Sequence, residues 1–119
     1  MIRPVRDRRT FVALRTDAIR VRRGPLSVAF LERAGAEDTQ VAYALTKRVG
    51  GAVERNRLRR RLRAQLQELA RGSSELVPPG VLLVSAGPEA RQRTPKELRN
   101  DVVNVLEALA SRRSGGTGR

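Results

Sequence analysis

The sequence contains no cysteine and no histidine. Without cysteine there are no disulfides, no thiolate nucleophile and no cysteine-based zinc site. Without histidine the commonest general base and metal ligand is missing. Tryptophan is absent too, and Phe11, Phe30 and Tyr43 are the only aromatic residues. No apolar run approaches the roughly 20 residues needed to span a bilayer, so no membrane partner is expected. The basic N-terminal stretch Met1–Arg9 is not followed by an apolar stretch, so no signal peptide is expected and a cytoplasmic location follows by default. Acids are scarce: 12 carboxylates face 25 basic side chains, for a net charge of +13. They are also scattered, and Glu37-Asp38 reads as turn chemistry. A two-metal nuclease site needs clustered oxygen ligands, and none can be assembled from this sequence. No catalytic residues and no metal ligands are therefore assigned to the chain.

What remains is one domain with an unusual charge. The chain has 119 residues, 39% of them hydrophobic, enough for one modest core. A charge of +13 says nothing about fold but predicts attraction to polyanions. All but two of the basic residues, Lys47 and Lys96, are arginine, whose planar guanidinium matches phosphate oxygens in pairs. Residues 1–6 read as a flexible basic arm. Asp7 caps a helix over 8–16 that carries Phe11 and Leu14 on one face. Arg20, Arg22 and Arg23 read as a basic loop ending at Gly24-Pro25. Leu26, Val28 and Phe30 alternate as a strand, as do Val41, Tyr43 and Leu45, and the two are expected to form a hairpin. A long helix is predicted from Ala52 to Arg71, stopped by Gly72-Ser73-Ser74. The continuous apolar run Val81–Val84 predicts a central strand covered on both faces. Thr94, Pro95 and Glu97 have the spacing of a helix start, and Leu98, Val102, Val105, Leu106 and Leu109 give that last helix an apolar stripe. The order α-β-β-α-β-α predicts an α+β fold, a small two-layer α-β sandwich. Residues 1–112 are read as a single domain and 113–119 as a disordered tail.

The most informative stretch is Thr46–Arg63, with eight basic residues and one acid, Glu54. A helix turns about 100° per residue, which brings Leu58, Leu62, Leu66 and Leu69 to one face. Asn56, Arg59, Arg60 and Arg63 form a second stripe beside it, with Arg57 and Arg61 on the other flank. Arg55 points near the apolar stripe. Solvated helices normally mix charge signs to gain i,i+4 pairs, whereas Arg55–Arg63 contains no acid. The resulting repulsion weakens an isolated helix by a few tenths of a kcal/mol per pair, roughly, a cost that a bound polyanion removes. Phe11, where not fully buried, offers a face for stacking on a nucleobase.

The run Thr46-Lys47-Arg48-Val49-Gly50-Gly51-Ala52-Val53-Glu54-Arg55-Asn56-Arg57-Leu58-Arg59-Arg60-Arg61-Leu62-Arg63 closely resembles the signature of the bacterial ribonuclease P protein subunit. Its hallmark, an Arg-Asn-Arg box behind a basic-aliphatic-Gly-x-Ala-Val run, is Arg55-Asn56-Arg57 here. The resemblance covers about residues 5–110. It implies a ribosomal-protein-like fold with a left-handed βαβ crossover, against the general right-handed rule. It also implies a holoenzyme, with one protein per RNA, that removes the 5′ leader from precursor tRNA with Mg²⁺. The resemblance implies that the catalytic RNA carries the active site and holds most of the metal. Carried over by position, Lys47, Arg48, Arg55, Asn56, Arg57, Arg59, Arg60 and Arg63 match the RNA-contacting box, and Phe11 matches an aromatic of the leader cleft. Two positions depart from the family pattern. Arg15 stands where a second aromatic is frequent, and Ala29 stands where the first strand often carries tyrosine. Phe30 cannot substitute, because a one-residue shift turns a side chain to the opposite face. The cleft is therefore expected to rely more on charge than on stacking. A non-catalytic ribosome-associated or other basic RNA-binding protein is the alternative, and a DNA-binding regulator is disfavoured by the strand content.

Overall fold

A computed structural model describes residues 2–72 and 75–117. Five strands, β1 (Ile2–Pro4), β2 (Ile19–Arg23), β3 (Leu26–Leu31), β4 (Thr39–Ala44) and β5 (Gly80–Ala86), make one sheet in the order β1-β4-β5-β3-β2. Helices α1 (Arg8–Thr16), α2 (Ala52–Gly72) and α3 (Pro95–Thr117) and a short 3-10 turn at Pro88–Gln92 complete it. The apolar run Val81–Val84 occupies the central strand, as its composition requires. β5 enters that position through Gly80, whose φ is +137°; a Cβ there would lie 2.8 Å from the Phe30 ring and 2.9 Å from the Leu31 carbonyl oxygen.

The two sheet faces are covered differently. Val28, Phe30, Val41, Leu82 and Val84 face the buried stripes of α2 and α3 in the main core. On the other face α1 packs, setting Leu14 against Ala29, Ala42 and Val81. Ala29 and Phe30 thus point to opposite faces, as expected. β4 and β5 are parallel neighbours joined through α2, so the chain makes a βαβ crossover.

Local signals held where the partner lies within one turn. Asp7 caps α1 by accepting from the Thr10 amide at 3.0 Å. Thr94 and Glu97 cap α3 reciprocally: the Thr94 amide donates to Glu97 at 2.9 Å and the Glu97 amide to the Thr94 hydroxyl at 3.1 Å. α2 and the apolar stripe of α3 fall where the spacing predicts, and Ser73 and Ser74 of the expected stop lie outside the described residues.

Four expectations are corrected. β3 and β4 are not a hairpin: β5 inserts between them, pairing antiparallel with β3 and parallel with β4. The basic arm is a strand as far as Pro4, because Ile2 packs on the core and Arg3 pairs with Asp38 at 3.2 Å. The basic loop is β2, because Ile19 and Val21 alternate with Arg20 and Arg22 and give it one half-buried face. The tail expected from residue 113 is helical as far as Thr117, with Gly118 and Arg119 outside the described residues. Arg112 ties that end of α3 to the Arg20 carbonyl at 3.1 Å. Arg113 pairs with Glu32 at 3.2 Å and stacks its guanidinium 4.7 Å over the Phe30 ring.

Candidate nucleic-acid interface

The basic segment is held by its few non-basic residues. Val49, fully buried, anchors the turn that carries exposed Lys47 and Arg48. The turn is closed by the Val49 amide donating to the Thr46 carbonyl at 3.0 Å and the Gly50 amide to the Lys47 carbonyl at 3.1 Å. Gly50 adopts φ +149°, and a Cβ there would meet Glu54 Cβ at 2.9 Å and an Arg91 nitrogen at 3.0 Å. Glu54 accepts from the Gly51 amide at 2.9 Å. The single acid of the segment therefore satisfies a free amide at the start of α2 and complements the positive end of its dipole.

Beyond Glu54 the helix divides as its spacing predicts. Leu58, Leu62, Leu66 and Leu69 are buried. Arg57, Arg60 and Arg63 are exposed and Arg59 is half-buried. Asn56 accepts from Arg59 Nη1 at 2.6 Å, which holds that guanidinium across the stripe. Arg55 is half-buried with its Nε unpaired, consistent with a position beside the leucines. Among the described residues, none of Lys47, Arg48, Arg55, Arg57, Arg59, Arg60, Arg61 and Arg63 has a carboxylate within 4.0 Å. Among the described residues their charge is uncompensated.

A second surface lies on the α1 face of the sheet. Phe11 keeps 40% of its surface exposed, so its ring is outside the core. Arg15, one turn further along α1, is exposed. The strand register builds the floor beside them. Arg20, Ala29, Leu83 and Ala42 form one row, and Arg22, Ser27, Ser85 and Ala44 the next. α1 covers the first row through Leu14; Ser27 and Ser85 are half-buried and Ala44 is exposed. Strands lie about 4.8 Å apart, so the open row is roughly 14 Å wide and its side chains are small except for Arg22. Arg20 serves the fold itself. Its Nη2 donates to the Leu14 carbonyl at 2.7 Å and the Arg15 carbonyl at 3.2 Å, capping the C-terminal end of α1. The other end of α1 is fixed by Arg33 donating to the Thr10 hydroxyl at 2.7 Å. The Thr10 hydroxyl and amide in turn hold the Asp7 carboxyl below its ordinary range.

The two surfaces meet. Phe11 of α1 and Arg63 of α2 line a single cavity of about 460 Å³ at the edge of β4. Arg15 and the Lys47–Arg48 turn are not part of it. Tyr43, read as core from its strand pattern, packs against the main core, lines this cavity and carries a buried hydroxyl with no hydrogen-bond partner among the described residues. Burial pushes this phenol up; the Arg63 and Arg59 guanidiniums oppose the rise from nearby, without hydrogen-bond geometry between Arg63 and the hydroxyl. The sequence carries one signal for Arg22, the alternation Ile19-Arg20-Val21-Arg22, which its charge obscures. It carries none for the cavity, which depends on where β1 stops.

The family model for Ribonuclease P matches residues 3–110. The chain belongs to that family. Curated relatives are ribonuclease P protein components. That of Streptomyces avermitilis is 38% identical over 108 residues, covering 77% of this chain and 84% of its own length. Those of Thermus scotoductus and Beutenbergia cavernae are 42% and 40% identical over 72 and 76 residues. The chain spans 41% and 61% of those two proteins, less than two thirds of either. Among solved structures, a Staphylococcus aureus ribonuclease P protein superposes with a TM-score of 0.79 at 17% identity, over 90% of this chain and 87% of that one. The Thermotoga maritima protein gives 0.71 at 18%, over 88% and 96%. At such identities the likeness concerns the fold, and it includes the element order and the crossover. Among the described residues no helix is long and apolar enough to cross a membrane.

Proposed function

We propose that this chain is the protein subunit of a ribonuclease P holoenzyme that assists removal of the 5′ leader from precursor tRNA. The observation that carries the reading is the row of eight uncompensated cations on a turn and helix held rigid by Val49, Glu54 and the α2 leucines, in a member of this family. A rigid guanidinium array binds phosphate without ordering long side chains one at a time, and it is worth most where the partner is a dense polyanion. In this reading the catalytic RNA lies along Lys47, Arg48 and the α2 stripe. The leader crosses the open row of Ser27, Ser85 and Ala44, where small side chains let a nucleic-acid backbone approach. Phe11 stacks on a base, and Arg15 and Arg22 meet phosphates. A cytoplasmic setting follows from such partners, with one protein per RNA.

The same residues do not suit a metal centre. Glu54 is engaged by the Gly51 amide, and among the described residues no three potential ligands cluster. In this reading Mg²⁺ is held mainly by the RNA, whose phosphates are hard oxygen ligands. The protein's part is to neutralise and position, and the bond is cut on the RNA.

The test is cleavage of a leader-bearing precursor tRNA by a bacterial ribonuclease P RNA at low Mg²⁺, with and without the protein. Faster cleavage with the protein is expected. Binding to many RNAs with no gain in leader removal would sink the reading in favour of a general RNA-binding protein.

A further inference from the structure

The cavity between α1 and α2 has a cause in the strand pairing. β1 pairs with β4 only from Thr39 to Val41, and it ends at Pro4, which has no amide to donate. The Val5 amide closes the pairing on the Val41 carbonyl at 3.2 Å. Backbone groups alternate sides along a strand, so those of Tyr43 point the same way as those of Val41, past the end of β1. Among the described residues no strand covers this edge beyond Val41.

The groups around that gap are complementary to one kind of ligand. Phe11 offers a partly exposed ring, and Ile2 and Pro4 an apolar wall. Tyr43 offers a buried hydroxyl that no described residue satisfies, together with an open backbone amide and carbonyl. Arg63 offers a guanidinium with no carboxylate partner among the described residues, and Gln67 an exposed amide. An apolar ligand would leave the hydroxyl and the arginine unsatisfied, which is costly for a buried group. A carboxylate would leave the ring and the wall unused. A second cavity, of about 420 Å³ beside Gly24, makes the contrast: Arg23 lines it together with Asp101 and Glu107, and no aromatic ring does.

We propose that the cavity at the open β4 edge seats one nucleotide of the bound RNA. Its base stacks on Phe11 against Ile2 and Pro4, with its edge on the Tyr43 backbone and Gln67. Its phosphate lies on Arg63 and accepts from the Tyr43 hydroxyl. The nucleotide bridges the leader face and the basic helix, which makes the two RNA surfaces one continuous path. This assignment rests on the function proposed above and adds a residue, Tyr43, and a place to it.

Tyr43→Phe tests it, because it removes only the hydroxyl. Affinity is measured in two arms, for a bacterial ribonuclease P RNA transcript alone and for precursor tRNA, leader-bearing or leaderless, bound to the assembled holoenzyme. The arms decide whether the nucleotide comes from the catalytic RNA or from the leader. One of the two affinities should fall about tenfold, the loss of one hydrogen bond to a charged acceptor. The melting temperature of the free protein should stay level or rise, since an unpaired buried hydroxyl is lost. Gln67→Glu, at an exposed helix position, should weaken the same arm by placing a negative charge against the phosphate. Affinities within twofold of wild type in both arms would overturn the proposal. So would a parallel fall in melting temperature and affinity for Tyr43→Phe, which assigns the hydroxyl a structural role, or an inert Gln67→Glu. Binding is read separately from cleavage, so a wild-type protein that binds RNA without aiding cleavage would fail the functional reading alone.

Discussion

α2 and α3 are of similar length, pack their apolar stripes on the same sheet face and both carry arginine, but they use it in opposite ways. Around α3 the arginines are paired. Arg93 holds buried Asp101 through two bonds of 2.8 and 3.0 Å, Arg99 meets Glu68 of α2 at 3.2 Å, and Arg113 meets Glu32 at 3.2 Å. On α2 and the turn before it, no arginine has a carboxylate within 4.0 Å among the described residues. Overall charge treats the two helices alike. The placement of twelve acids separates them: arginines given an acid hold the fold together, and those denied one stay uncompensated among the described residues.

The largest effect should come from the paired side. Asp101→Ala removes the buried partner of Arg93 and should destabilise the protein by about 2–3 kcal/mol, measured by urea unfolding, with RNA affinity unchanged. A tenfold loss of RNA affinity at full stability would erase the distinction between the two helices. Next comes Phe11→Ala, which should weaken leader-bearing precursor tRNA by about 1–3 kcal/mol and mature tRNA much less. Its unfolding free energy should fall by less than the roughly 3–5 kcal/mol of a core Phe→Ala, since 40% of the residue stays exposed. Equal losses on both RNAs would move Phe11 out of the leader path.

The smallest effect is in acid. The Asp7 carboxyl is lowered by the Thr10 hydroxyl and amide, and that of Glu97 by the Thr94 amide and then by Arg93. A carboxyl depressed in the fold adds stability above its unfolded pKa and loses it as pH falls through the folded one. The melting temperature should therefore drop as pH falls below the ordinary values of 3.8 and 4.5, and Asp7→Asn and Glu97→Gln should each flatten that drop. A wild-type profile unchanged by both variants would show that these caps carry no net stability.

What could be read from sequence alone follows the range of the interactions. The α1 cap at Asp7, the Thr94–Glu97 box and the division of α2 into leucine and arginine faces are settled within one or two turns, and each was legible. The β3–β4 hairpin was not, because the strand that separates them arrives only after α2, and a local pattern cannot announce an insertion. β2 was hidden for a different reason: three arginines in five residues look like a loop until α3 is there to cover Ile19 and Val21. The uncompensated basic segment was legible because Lys47 to Arg63 is contiguous. Tyr43 at the cavity was not, because its place on an open strand edge depends on β1 ending two residues short of it.

The central claim is that the α2 arginines face RNA phosphates and the α3 arginines do not. The most direct measurement is the slope of log affinity against log salt for assembly with a bacterial ribonuclease P RNA. Each lost phosphate contact should lower the slope by roughly 0.7–0.9. Arg59→Ala with Arg63→Ala should therefore lower it by about 1.5–2, while Arg99→Ala leaves it unchanged. Equal slopes for wild type and the α2 double variant, or an equal loss from Arg99→Ala, would contradict the account.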